Sequence, residues 1–162
     1  MMFLSVRSIR LLVTIIAILF RTNLAPANEI IISGGKFGID EQQNNYEAGL
    51  EHRWSEQLWH FKPLIGAFAN SKSGGFFYAG VSFDFAITNN LELGVGIAPG
   101  IYHKGHGKSL GGPVDIKSQL ELWWVFGDQY KLGAAIAHIS HSGLYKSNPG
   151  IETVSAQMSI PF

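Results

Sequence analysis

The sequence predicts an all-β fold: an eight-stranded antiparallel transmembrane β-barrel of the outer membrane. Three observations carry that expectation. After Asn28 the chain shows apolar–polar alternation in segments of about ten residues, with no convincing helical period. The connections between segments alternate short and long. The last segment alternates cleanly and ends on an aromatic residue, Phe162.

The segments lie at 29–39, 46–54, 58–69, 75–86, 89–99, 113–126, 129–141 and 151–162. Each is close to the roughly 9–11 residues of a tilted membrane-crossing strand. Gly, Asn, Asp and Ser separate the segments. In the fourth, Phe77, Ala79, Val81, Phe83 and Phe85 alternate with Tyr78, Gly80, Ser82 and Asp84. In the fifth, Leu91, Leu93, Val95 and Ile97 alternate with Glu92, Gly94 and Gly96. In the sixth, Ile116, Leu120, Leu122 and Trp124 alternate with Asp115, Lys117, Gln119 and Glu121. In the seventh, Leu132, Ala134, Ile136, His138 and Ser140 share a face, and in the eighth Glu152, Val154, Ala156, Met158 and Ile160 do.

With a periplasmic N-terminus, the inner turns are Ser55–Gln57, Ile87–Asn90 and Gly127–Asp128, and the outer loops are 40–45, 70–74, 100–112 and 142–150. Short inner turns and longer outer loops mark outer-membrane barrels. Trp54 and Trp59 beside the first inner turn, and Trp123, Trp124 and Tyr130 beside the third, fit an interfacial aromatic girdle. Closure matters because an open sheet edge in hydrocarbon would leave backbone amides and carbonyls unpaired. The polar set Glu47, Glu51, Arg53, Asp84, Asp115, Lys117, Gln119 and Glu121 then points inward, as a paired structural network filling a narrow barrel.

Residues 1–27 read as a secretory signal, with Arg7 and Arg10 before an apolar run from Leu11 to Phe20 and Ala25-Pro26-Ala27 as the cleavage site. Residues 28–162 then form the barrel. Removing Arg7, Arg10 and Arg21 leaves nine basic against twelve acidic side chains, a net charge of −3, which does not suggest nucleic-acid binding. Cysteine is absent, so disulfides and thiolate metal sites are excluded.

The chemistry concentrates near the end of the chain. Alternation places His138, Ser140 and Glu152 on the lipid-facing side of two neighbouring strands, converging at the extracellular rim. A charge there costs about 0–1 kcal/mol, against roughly 2–4 at the bilayer midplane. By residue type, Ser140 suits a nucleophile, His138 its general base and Glu152 the group that fixes the imidazole tautomer. The rival reading is a rim with ordinary interfacial polar residues.

His138-x-Ser140-x-x-Gly143, followed by Asn148-x-Gly150-Ile151-Glu152 and the terminal strand to Phe162, resembles the PagL family of lipid A 3-O-deacylases. The resemblance implies an eight-stranded outer-membrane barrel with a Ser-His-Glu site near its extracellular side. It carries the catalytic roles onto Ser140, His138 and Glu152, and implies a cofactor-free esterase that removes the 3-hydroxyacyl chain at position 3 of lipid A. The chain departs from the family pattern at His141, where the family has an oxyanion-assisting Asn. His141, Ser142 and Gly143 are therefore the candidate oxyanion or substrate residues.

Expected partners are lipid A of lipopolysaccharide, the bilayer and the barrel assembly machinery that reads the terminal strand, with a homodimer left open. A non-catalytic barrel with a structural or surface-interaction role is the alternative function, as is an esterase acting on another acylated lipid. His103 and His106 lack a carboxylate or thiolate at metal-ligand spacing, so no metal is expected. Gly107-Lys108-Ser109 lacks the leading Gly and the strand–loop–helix setting of a phosphate loop. Lys104 and Lys108 still offer positive charge to lipopolysaccharide phosphates.

Overall fold

The computed structural model describes residues 27–39, 41, 44–55 and 61–162. The expected signal lies outside the described residues apart from Ala27. Trp59 of the expected girdle, Glu56 and Gln57 of the first inner turn and residues 58–60 of the expected third segment lie outside them too. The described residues form β1 (Glu29–Phe37), β2 (Tyr46–Arg53), β3 (Lys62–Asn70), β4 (Gly75–Ala86), β5 (Leu91–His103), β6 (Val114–Phe126), β7 (Tyr130–Ser140) and β8 (Ile151–Pro161). Each strand pairs antiparallel with the next, and β1 pairs with β8 to close the barrel.

Several bounds differ from the periodicity by one or two residues, as at the end of β1 (Phe37 against 39) and the start of β5 (Leu91 against 89), and two departures shape the connections. β5 runs on to His103, past Pro99 and Gly100, where the sequence suggests a stop. The strand survives because its β6 side stays paired there, with Pro99 opposite Ile116 and Gly100 opposite Asp115. On the β4 side the ladder lapses at Ala98 and Pro99, then resumes in the same register at Gly100. A proline removes a single ladder donor, which the neighbouring strand on the other side makes tolerable. β7 ends at Ser140 rather than at residue 141, so the loop after it is one residue longer than expected.

Burial is inverted relative to a soluble sandwich. Ile32, Leu50, Phe77, Ile97, Leu122, Leu132 and Ile136 are all exposed, along strand faces that make one continuous apolar outer wall. The opposite faces are buried and partly charged. A soluble fold would not leave so wide an apolar patch open.

The half of the interior nearer the start of β1 and the end of β8 is a network of ion pairs. Arg53 on β2 meets Glu51 at 2.5 Å and reaches across the lumen to Glu121 on β6, at 2.9 and 2.6 Å. Glu121 also accepts from Gln119 and from the Trp123 indole. In a second cluster, Lys62 contacts Glu29 and Asp84 at 2.7 and 2.9 Å, and Lys131 contacts Asp84 and Glu92 at 3.1 and 2.8 Å. The expected network therefore forms in part, through Glu51, Arg53, Asp84, Lys117, Gln119 and Glu121, and is enlarged by Glu29, Lys62, Glu92 and Lys131. Asp115 is an exception: neither of its buried carboxylate oxygens has a hydrogen-bond partner among the described residues.

Trp123 belongs to this interior and not to the girdle. Strand alternation turns it inward, leaving it 1% exposed beside Trp124 at 67%. Gly133 makes room for it, since a Cβ there would come within 2.5 Å of the indole. The half of the lumen nearer the β7–β8 loop is instead apolar, packed with Phe37, Phe68, Phe76, Tyr102, Ile139 and Ile151.

Candidate active site

The site is built on the β7–β8 hairpin above that apolar plug. Ile139 and Ile151 lie opposite each other in the ladder, and both point into the barrel, fully buried. Burying these two side chains fixes the pleat, because a one-residue slip would send both into lipid or loop. Their neighbours His138, Ser140 and Glu152 therefore take the outward parity.

His138 lies directly opposite Glu152 in the same ladder. The His138 Nδ1 and the Glu152 Oε1 are 2.9 Å apart, with the two side chains 49% and 45% exposed. A carboxylate only accepts, so Nδ1 donates, and in the neutral ring Nε2 keeps its lone pair. That tautomer is the one a general base needs.

Gly150 holds the imidazole in place by having no side chain. Its φ is +60°, and a Cβ there would fall 2.8 Å from the His138 Cε1 and 3.3 Å from Nε2. The ring thus rests on the backbone just before β8, at a position that also needs the left-handed conformation. The Asn148-x-Gly150 signal is explained residue by residue: the Asn148 Oδ1 accepts from the His141 backbone N–H at 3.2 Å, closing the loop, and Gly150 seats the histidine.

Ser140 shares the face of His138 two residues along β7, a separation of about 6.8 Å along the strand. It is only 9% exposed, unlike the two groups beside it. Among the described residues its hydroxyl makes no hydrogen bond to His138. Bonds of this kind are often long before substrate arrives and shorten in the reacting complex.

The loop after Ser140 is tied down by His141. Strand parity carries His141 inward with Ile139, where it is fully buried. Its Nε2 meets the Ser147 carbonyl at 2.6 Å, and its Nδ1 accepts from the Tyr145 N–H at 3.4 Å. Both ring nitrogens are occupied within the loop, so the imidazole is not presented to the rim.

The second loop, 104–113, buttresses the first at two glycines. A Cβ on Gly111 would sit 2.0 Å from the Ser147 carbonyl oxygen, and one on Gly112 would sit 1.9 Å from the Tyr145 ring. Lys108 of this loop pairs with Glu41 at 2.8 Å and so is not a free cation.

Ser142 and Gly143 form the exposed tip of the β7–β8 loop. Their φ values are +50° and +86°, and the Leu144 N–H returns to the His141 carbonyl at 3.0 Å. Two positive φ angles inside such a bond make a type I′ turn. Among the described residues nothing occupies the N–H groups of Ser142 and Gly143, and the space beside the Gly143 Cα is open. Of the three expected oxyanion or substrate residues, the structure leaves two backbone donors at the rim and puts the third side chain to another use. Among the described residues, no group of three or more His, Cys, Asp or Glu side chains could hold a metal ion.

The sequence model of a family described as lipid A 3-O-deacylase (PagL) matches residues 41–161. The chain is also similar to the crystal structure of the outer-membrane enzyme PagL, with a TM-score of 0.61 at 19% identity, covering 83% of this chain and 99% of that one. A de novo designed transmembrane β-barrel aligns with a TM-score of 0.63 at 9% identity, covering 88% and 100%. Neisserial surface protein A aligns with a TM-score of 0.57 at 10% identity, covering 83% and 96%. No curated protein matches the chain in sequence. At these identities the structural matches establish the barrel, while the sequence match spans the whole β7–β8 site.

Proposed function

Because this chain belongs to the lipid A 3-O-deacylase (PagL) family, we propose that the β7–β8 rim is a serine esterase site acting on lipid A in the outer membrane. Ser140 is the nucleophile, His138 its general base, and Glu152 the group that orients the imidazole. The observation that carries this reading is the 2.9 Å His138–Glu152 bond on the outer wall, two residues from a serine of the same parity. In this reading residues 1–27 are the export signal.

The Ser140 Oγ attacks the carbonyl carbon of the ester at position 3 while the His138 Nε2 takes its proton. The oxyanion that forms is met by the backbone N–H groups of Ser142 and Gly143, which take the role the family gives to Asn. Collapse breaks the ester C–O bond, and the sugar hydroxyl leaves with the proton from His138. Water, deprotonated by the same imidazole, then attacks the acyl-serine and releases the 3-hydroxy fatty acid. Only carboxylate, imidazole and hydroxyl chemistry is used.

A fluorophosphonate probe tests the assignment. It should form an adduct on Ser140 in the purified barrel, and His138→Ala should lose that labelling. An adduct on Ser118, Ser142 or Ser147 instead would disprove it.

Two further variants follow from the geometry. Glu152→Gln keeps the shape but presents an amide to Nδ1, and should lower kcat by up to about 10⁴-fold with the fold intact. Gly150→Ala pushes a methyl group into the His138 ring, and a displacement of about 1 Å at a reacting group can cost about 10²-fold. Steady-state kinetics of both against the parent chain check these values, and full activity in Gly150→Ala would mean that the seat described here is not used.

A further inference from the structure

On the outer faces of the eight strands, two described side chains carry a formal charge: Glu152 and Lys36. The first is explained by its bond to His138. The second is not. Lys36 shares the outward parity of Ile30, Ile32 and Gly34 on β1, and its ladder neighbours are Tyr46 on β2 and Val154 on β8, both outward and exposed. Among the described residues it forms no ion pair, whereas the lysines inside the barrel are held by carboxylates.

Its amine is also aimed. The Lys36 Nζ donates to the Ile39 carbonyl at 3.4 Å, so the side chain rises from the apolar wall towards the extracellular turn. That turn is fixed to the active site, because the N–H groups of Gly38 and Ile39 both donate to the Glu152 carbonyl oxygen, at 2.9 and 3.0 Å. The ammonium thus hangs one strand away from the Glu152 carboxylate, which faces the other way, towards β7. Below it, Tyr46, Ala134, Val154 and Ala156 line an open hollow in the outer wall.

We propose that Lys36 is a substrate-anchoring cation that takes a phosphate of the lipid A headgroup, seating the acylated sugar against the β1–β8 wall beside Glu152. The arrangement matches that ligand from top to bottom, with a cation at headgroup height and an apolar hollow beneath for acyl chain. A lysine stem can lie along apolar surface while its ammonium reaches the interface. A hydrogen bond between charged groups is about twice as strong as a neutral one, which makes a phosphate the fitting partner. This inference rests on the deacylase reading for its substrate, but it concerns binding and not the chemical step.

Binding to the Ser140→Ala chain in detergent micelles separates the two. The probes are bisphosphorylated lipid A, the same lipid A after phosphatase treatment, and phosphatidylglycerol. The bisphosphorylated form should bind about tenfold more tightly than the dephosphorylated form, and Lys36→Gln should erase that difference while Lys36→Arg keeps it. An unchanged preference in Lys36→Gln overturns the proposal. So does equally tight, Lys36-dependent binding of phosphatidylglycerol, which would make the residue a general membrane anchor. In the active chain, Lys36→Gln should raise KM for bisphosphorylated lipid A about tenfold with kcat unchanged. Loss of deacylation with phosphate-dependent binding intact would count against the triad and not against Lys36.

Discussion

Ser140→Ala should lower kcat for lipid A deacylation by about 10⁶-fold, the scale seen when the nucleophile of a serine hydrolase is removed. The effect is so large because no other group can take over. His138 is committed through Nδ1 to Glu152, and a bare imidazole acting on water lacks the covalent route. Lipid A binding should survive, since Ser140 is 9% exposed and supplies little contact surface. The release of 3-hydroxy fatty acid by purified parent and variant proteins measures the loss. A Ser140→Ala chain that keeps a tenth of the parent rate would place the nucleophile elsewhere.

Arg53→Met should be the most damaging single change to the barrel itself, with a loss of about 3–5 kcal/mol. Arg53 is 1% exposed and joins opposite walls, with Glu51 on its own strand and Glu121 on β6. Methionine removes the cation and strands two buried carboxylates, which is far worse than never having had the pair. Denaturant titration of the barrel refolded in lipid vesicles should show the shift, and adding Glu51→Gln and Glu121→Gln should recover most of it. An Arg53→Met barrel as stable as the parent would mean that the strut across the lumen carries no stability. Deacylation per folded molecule should change little, since this network lies in the half of the lumen away from His138.

Most of the barrel is legible in the alternation because a strand that faces lipid on one side must be apolar at every second residue. Leu120, Leu122 and Trp124 against Gln119, Glu121 and Trp123 show both the strength and the limit of that rule. Polar residues on the inner face announce the interior network. Trp123 is misread as girdle because adjacency to a turn is a weaker cue than parity, and parity sends it inward to Glu121. The same holds for Pro99, whose stop signal is overridden by pairing with β6, a contact no local pattern contains.

The candidate triad is legible for the same reason. His138, Ser140 and Glu152 are polar where the outer face should be apolar, and the hairpin sets His138 opposite Glu152, with Ser140 two residues along the same face, whatever the loop does. The donors beside them are harder to read. Parity with Ile139 could have shown His141 turning inward, but its bond to Ser147 depends on how ten loop residues fold, with Gly111 and Gly112 of another loop pressed against them. Lys36 is visible in the sequence only as a charge in a short strand, and its aim towards Ile39 emerges once β1 closes onto β8.

Mass spectrometry of lipid A from cells carrying this chain, its Ser140→Ala variant or an empty vector reads the proposed deacylation in the membrane itself. Lipid A should lose one 3-hydroxyacyl mass with the parent chain and stay intact with both controls. Intact lipid A in all three strains, with the parent barrel folded in the outer membrane, would contradict it.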